Sequence, residues 1–206
     1  EVEYHDKTSF AIDVKFPCAE AEKVAAAFGV DASTAAQSSL VIWTTTPWTL
    51  PANQAISLHA QLQYQLLQFT NDGKQQTIIV AQELVAAVMA RLQVEQFEVL
   101  GNCSGQELER IQFKHPFYDR TVPVILGDHV TTEAGTGAVH TAPDHGVDDF
   151  NVGRKYDIGT LNIIGDDGVY REQVEYFAGE HVYKVDAHVI EVLQQHNNLL
   201  FEEKIT

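Results

Sequence analysis

A chain of 206 residues, 45% hydrophobic and 20% charged with only 6 prolines, is long enough to bury one sizeable core and too apolar to stay disordered. Its formal charge of −16 excludes a protein that grips nucleic acid by neutralising many phosphates, since that needs clustered Lys and Arg; any such contact has to be local. Cys18 and Cys103 lie far apart and outside any CxxC spacing, which excludes a disulfide scaffold and reads as two reduced thiols.

The chain opens on "EVEYHDKTSFAIDVKF", already alternating like a strand and without an initiator Met, which suggests a piece of a longer polypeptide. Residues 19–29 carry helical spacing and end on Gly29, where a helix would stop. Short strand-like runs follow at 39–43, 55–59, 64–70 and 77–81, the last two joined by the turn signal "NDGKQQ". Residues 82–92 form the clearest amphipathic helix, with Leu84, Val85, Val88 and Leu92 on one face. Further strands are predicted at 97–101, 107–113, 122–130 and 137–142, then a helix at 146–156, a strand-like 161–165, a helix at 181–195 and a closing strand at 199–203. Many short strands, hairpin turns and a few helices predict an α+β class: a β-rich domain with a curled or barrel-like sheet and several flanking helices. No linker-like composition divides it, so 1–206 reads as a single domain. No basic-then-apolar leader is present, and no apolar run approaches the roughly 18 residues of a membrane span, so the expectation is a soluble, cytoplasmic protein with no membrane contact.

Two constellations carry chemistry. In "VIWTTTPWTLPAN" (41–53), Thr44, Thr45 and Thr46 stand between a strand and Pro47, flanked by Trp43 and Trp48 and followed by Asn53. Threonines at a strand end are also ordinary strand formers and turn caps; on an irregular segment, however, successive hydroxyls offer donors and acceptors to a polar ligand while the tryptophans wall it. In "GTGAVHTAPDHGVDDF" (135–150), His140 ends a strand, Pro143 and Gly146 break the backbone, and Asp148 and Asp149 fall in the next helical turn. Carboxylates there also complement the helix dipole. A metal site of His140, His145 and Asp149 matches no known ligand spacing, and an internal threonine is a poor nucleophile for a Thr-His-Asp triad. Dinucleotide, P-loop and G-x-S-x-G patterns are absent.

Together, and in this order, "WTTTPWTLPAN" and "GTGAVHTAPDHGVDDF" closely resemble the editing domain of bacterial isoleucyl-tRNA synthetases, and the similarity extends from "EVEYHDKTS" through "LGDHVTTEAGTG" to the last strand. The related valyl and leucyl enzymes typically have Arg where this chain has Thr46, as in "TTRP", and lack the counterpart of His140. The resemblance implies a domain inserted into a class I catalytic core, consistent with the missing HIGH-like and KMSKS-like motifs, so this chain should not activate amino acids. It implies post-transfer editing: hydrolysis of the ester joining valine to the 3′ CCA end of isoleucine tRNA, with valyl-adenylate as a further candidate substrate, the rest of the synthetase as partner, and no cofactor or metal. By the same resemblance Asp149 would hold the substrate ammonium, Thr44, Thr45 and Thr46 would bind substrate and position water, Trp48 and Asn53 would belong to the pocket, and His140 would occupy the space needed by isoleucine's extra methylene. The competing expectation is a non-catalytic module that binds an aminoacylated tRNA end without turnover; a freestanding deacylase is a third.

Overall fold

The computed structural model describes residues 9–205. The strand expected over 1–16 is present as β1 (Ser9–Pro17), buried on both faces from Ala11 to Val14; residues 1–8 lie outside the described residues. Helix α1 (Ala21–Phe28) buries Val24, Ala25 and Phe28 and ends on Gly29, as its spacing predicts. A short helix not predicted from the sequence, α2 (Ala32–Ala36), is started by Asp31, whose carboxylate accepts the Thr34 N–H at 2.8 Å; "DASTAA" is an N-cap followed by too few residues to show a period.

Strands β2 (Ser39–Thr44), β4 (Gln63–Asn71) and β5 (Lys74–Ala81) stand where predicted. The β4–β5 turn is tighter than "NDGKQQ" suggests: Asn71 pairs directly with Lys74, and Asp72 and Gly73 alone form the loop at φ 52° and 77°. Both angles are positive, as a two-residue primed turn requires, and Asp-Gly supplies them at little cost. Helix α3 (Val85–Leu92) follows a 3-10 turn at Gln82–Leu84, and the expected Leu84, Val85, Val88 and Leu92 are buried. Strand β6 (Glu98–Ser104) completes a six-stranded sheet in the order β10-β1-β2-β5-β4-β6, with β10 (Leu199–Ile205) at the far edge.

The second sheet draws on remote segments: β7 (Gln112–Lys114), β8 (Thr121–Leu126), β3 (Ala55–Leu58) and β9 (Val139–Thr141), in that order. Here β3 runs parallel to β8 and antiparallel to β9, so the short run at 55–59 joins neither of its sequence neighbours. Four expectations are corrected. Residues 107–113 are largely not strand, because Ser104 and Glu107 form a capping box that winds Gly105–Leu108 into a 3-10 turn. The strand predicted at 122–130 stops at Leu126, and 161–165 contributes only an Ile164–Tyr170 bridge. The last helix, α5 (Asp186–Gln195), begins five residues later than expected. The two sheets are mixed and open; among the described residues they do not close into a barrel. One contiguous core joins them, with Ile12, Phe16, Leu40 and Tyr64 meeting Ile56, Leu58, Phe113 and Val124. No described helix is long and apolar enough to cross a membrane.

Candidate functional site

The site forms where the two sheets meet. Strand β2 delivers Thr44, which is buried, and the chain then turns through exposed Thr45 and Thr46 into a 3-10 helix, Pro47–Ala52, with proline at its first position. Thr44 Oγ1 accepts the Thr46 N–H at 3.1 Å and lies 3.3 Å from Thr46 Oγ1, so the first hydroxyl fixes the turn that presents the third. A 3-10 helix repeats every three residues, which puts Thr49 beneath Thr46. The Thr49 hydroxyl donates to Thr46 O at 2.9 Å and contacts His140 Nε2 at 2.6 Å.

His140 reaches this turn from β9, opposite Ile56 of β3. Its other ring nitrogen, Nδ1, lies 2.9 Å from Asn53 Nδ2, which also donates to Ala55 O at 3.0 Å. Because an amide nitrogen can only donate, Nδ1 is the acceptor and the proton resides on Nε2, which donates to Thr49. The imidazole is thus locked from both sides. Burial, with His145 nearby, depresses its pKa from 6.5 to about 4, so it is neutral at physiological pH. An unfolded chain binds a proton at this residue below 6.5 and the native chain does not. Its contribution is therefore complete above 6.5 and lost as pH falls through 4, a change of about 3 kcal/mol. Chemical denaturation of the wild-type chain should lose about that much more stability between pH 7.5 and 4 than His140→Gln loses; equal losses would contradict the locked neutral ring.

The turn after β9 is a 3-10 segment, Pro143–His145, leading into α4 (Val147–Lys155). Asp149, in its first turn, is half-buried, and its Oδ2 accepts the Ala142 N–H at 3.0 Å, tying the helix start to the strand that carries His140. Desolvation raises the Asp149 pKa, opposed by that N–H and by His129 and His145. Trp48, half-buried, meets His145 edge-on at 5.4 Å, and the Tyr170 hydroxyl donates to its carbonyl.

Above β2, the 134–139 loop lies against the first sheet. Thr136 Oγ1 donates to Val41 O at 2.7 Å, Ala81 N–H to Thr136 O at 2.9 Å, and Tyr64 Oη to Gly137 O at 2.5 Å. Gly137 holds φ 81°, and a Cβ there would come within 2.3 Å of Ala81 Cβ, so only glycine lets the loop sit this low. Arg91, at the end of α3, forks onto the fully buried Asp13 at 2.7 and 2.8 Å and reaches Gly135 O at 3.5 Å, anchoring the loop to β1. Trp43, Thr44, Thr45, His129 and Glu133 share with this loop a groove of about 360 Å³.

The residues expected at the site therefore divide. Thr44, Thr46, Asn53 and His140 form one hydrogen-bonded chain, Thr45 faces the groove, and Trp48 and Asp149 join through His145 and Ala142. Asn53 is fully buried, so its side chain acts on the pocket through His140. Two members were not singled out in the sequence. Thr49 sits inside the quoted threonine segment but shows its role only once the 3-10 period is known. His129 folds its ring over Gly127, where a Cβ would come within 2.5 Å of it, a placement that no local pattern signals. Both His140 nitrogens are occupied, which leaves that ring no lone pair for a metal. Among the described residues no group of three or more His, Cys, Asp or Glu could hold one.

The chain is similar to known proteins. The family model described as "Leucyl-tRNA synthetase, editing domain" matches residues 21–203. The chain is 57% identical over its whole length to an isoleucine–tRNA ligase of Hahella chejuensis, and 54% identical over 97% of its length to one of Shewanella baltica. It spans 22% and 21% of those relatives. Among solved structures, the editing domain of the P. knowlesi cytosolic leucyl-tRNA synthetase superposes with a TM-score of 0.70 over 95% of this chain and 96% of that one, at 11% identity. That of P. falciparum superposes at 0.69 over 94% and 98%, at 8% identity, so the fold is retained where the sequence has largely diverged. The match of residues 21–203 to that family model establishes that this chain belongs to the family of aminoacyl-tRNA synthetase editing domains.

Proposed function

We propose that this chain, working in the cytoplasm as part of an isoleucine–tRNA ligase, hydrolyses the ester of valine mischarged onto isoleucine tRNA, and valyl-adenylate as a lesser substrate. The observation that carries the reading is the chain of hydrogen bonds Thr44–Thr46–Thr49–His140–Asn53, with the half-buried Asp149 tied to Ala142 just beyond His140, because it gathers hydroxyls, a rigid neutral imidazole and a carboxylate where the two sheets meet. Asp149 would receive the α-ammonium of the aminoacyl group, an interaction strengthened by its partial removal from water. The exposed Thr45 and Thr46 would orient the attacking water, with Thr44 fixing their turn, and Trp48 would supply apolar surface. Water adds to the ester carbonyl, the ribose oxygen leaves, and the proton lost by water ends on that oxygen, yielding free valine and intact tRNA. The adenosine's neighbouring hydroxyl would relay that proton, since His140 is committed to Thr49 and Asn53. No cofactor enters the scheme.

The test is deacylation of valyl- and isoleucyl-tRNA side by side: the expected result is rapid release of valine and retention of isoleucine. Binding of both without turnover would make the chain a holding module instead. Activity should persist after exhaustive chelation; loss in chelator restored by zinc would require a metal in the mechanism. At a net charge of −16 the chain should bind whole tRNA weakly, with a shallow dependence on salt. A steep collapse between low and physiological salt, measured by filter binding, would contradict this.

A further inference from the structure

We propose that the outer face of α4 is a stacking platform for the unpaired nucleotides that precede the terminal adenosine of the bound tRNA; the inference rests on the editing reading above. Helix α4 turns Val152 and Gly153 inward, Val152 packing on Ala55 and Ile125 of the second sheet. Phe150 lies two positions from Val152, so it points to the opposite side, and it is 42% exposed. Val147, three residues earlier on the same face, is 78% exposed, and Arg154, four residues later, places its guanidinium 5.8 Å from the centre of the Phe150 ring. Asn151 completes this stripe. Val147 and Phe150 lie outside the core and side by side in the first turn of α4, a small exposed apolar patch next to the half-buried Asp149.

Location and chemistry name the occupant. Phe150 directly follows Asp149 and is exposed beside it in the first turn of α4, so a ligand whose ammonium sits on Asp149 has this ring within one helical turn of its bound end. An aromatic ring with a guanidinium above it is the surface on which single-stranded bases stack, and such stacking tolerates any base. The stripe of Val147, Phe150, Asn151 and Arg154 contains no acid and one cation, in a chain of 29 acidic and 13 basic residues. It therefore suits a strand held by its bases and little by its phosphates. Arg154 and Lys155 also complement the negative end of the helix dipole, but that accounts for neither the exposed ring nor the guanidinium over it.

The experiment compares two esters in the 206-residue chain and in a full-length isoleucine–tRNA ligase carrying it: valyl-tRNA, and valyl-adenosine, which lacks the preceding nucleotides. Phe150→Ala should raise KM for valyl-tRNA by about 5- to 150-fold, the value of one base stack, with little change in kcat and none in the hydrolysis of valyl-adenosine. Phe150→Trp should restore the KM, and Arg154→Gln should raise it by a smaller factor. An unchanged KM for valyl-tRNA in Phe150→Ala overturns the proposal, as does an equal loss on both esters, which would mark Phe150 as structural. An effect confined to the full-length enzyme and equal for both esters would show that another domain covers this face, and also overturns it. A wild-type chain inactive on both esters removes the editing reading itself and this proposal with it, whereas activity on both with no effect of Phe150→Ala removes the proposal alone.

Discussion

Asp149→Asn is expected to lower kcat/KM for valyl-tRNA hydrolysis by about 30-fold to a few thousand-fold while leaving the fold intact. The large effect follows from the ligand: an α-ammonium brought into a partly desolvated groove opposite a neutral amide loses its counter-charge, and removing one member of such a pair costs about 2 to 5 kcal/mol. The small structural effect follows from the contacts. The substituted side chain keeps an amide oxygen for the Ala142 N–H, and a carboxylate in the first turn of a helix adds only about 0.3 to 1 kcal/mol through the dipole. The same residue sets an acid limb. Burial raises the Asp149 pKa above the ordinary 3.8, so the ionised form required for binding is lost at a higher pH than for an exposed aspartate. The activity of the wild-type chain should therefore rise with pH through that raised value, and the residual activity of Asp149→Asn should lack this limb. Near-normal turnover in a folded Asp149→Asn protein would return the residue to helix capping.

His140→Ala is expected to keep valyl-tRNA hydrolysis and to gain activity on isoleucyl-tRNA. The ring is held by Thr49 on one side and Asn53 on the other, it is neutral, and it is only 8% exposed, so it offers shape and rigidity more than proton transfer. One methylene in an apolar pocket is worth about 1 to 3 kcal/mol, a general figure that isoleucine–valine discrimination itself exemplifies and that this geometry does not independently yield. Emptying the wall should therefore close a gap of about 10- to 200-fold between the two substrates. The truncation leaves the Thr49 hydroxyl and the Asn53 amide without their partner, so some stability is lost; His140→Leu, which fills the space, serves as the control and should retain the discrimination. A parallel fall on both substrates of about 10²- to 10⁴-fold would instead identify His140 as a general base and overturn the steric role.

The class of fold, most of the strands and the two segments that carry chemistry are legible in the chain alone. They rest on local properties: the short apolar run at 77–81, the helical face of Leu84, Val85, Val88 and Leu92, the Asp72–Gly73 turn, and runs of Thr and Asp dense enough to stand out. The family is legible too, because the two quoted motifs sit in one order along the chain. Where local signals compete, the linear reading misleads: a capping box at Ser104–Glu107 wins over strand propensity across 107–113, and α2 is too short to show a period.

How these parts meet is a matter of long-range pairing. The parallel alignment of β3 with β8 and the return of β9 beside β3 bring His140 to Asn53 and Thr49 across separations of 87 and 91 residues, which no window along the chain can register. The proton position and depressed pKa of His140 follow from that meeting, since they depend on which groups exclude water and which can only donate. Thr49 acquires its place from the 3-10 period, and Asp149 its half-burial from the turn at Ala142. The identities of these residues can be read along the chain; their protonation, exposure and partners are properties of the space between the two sheets.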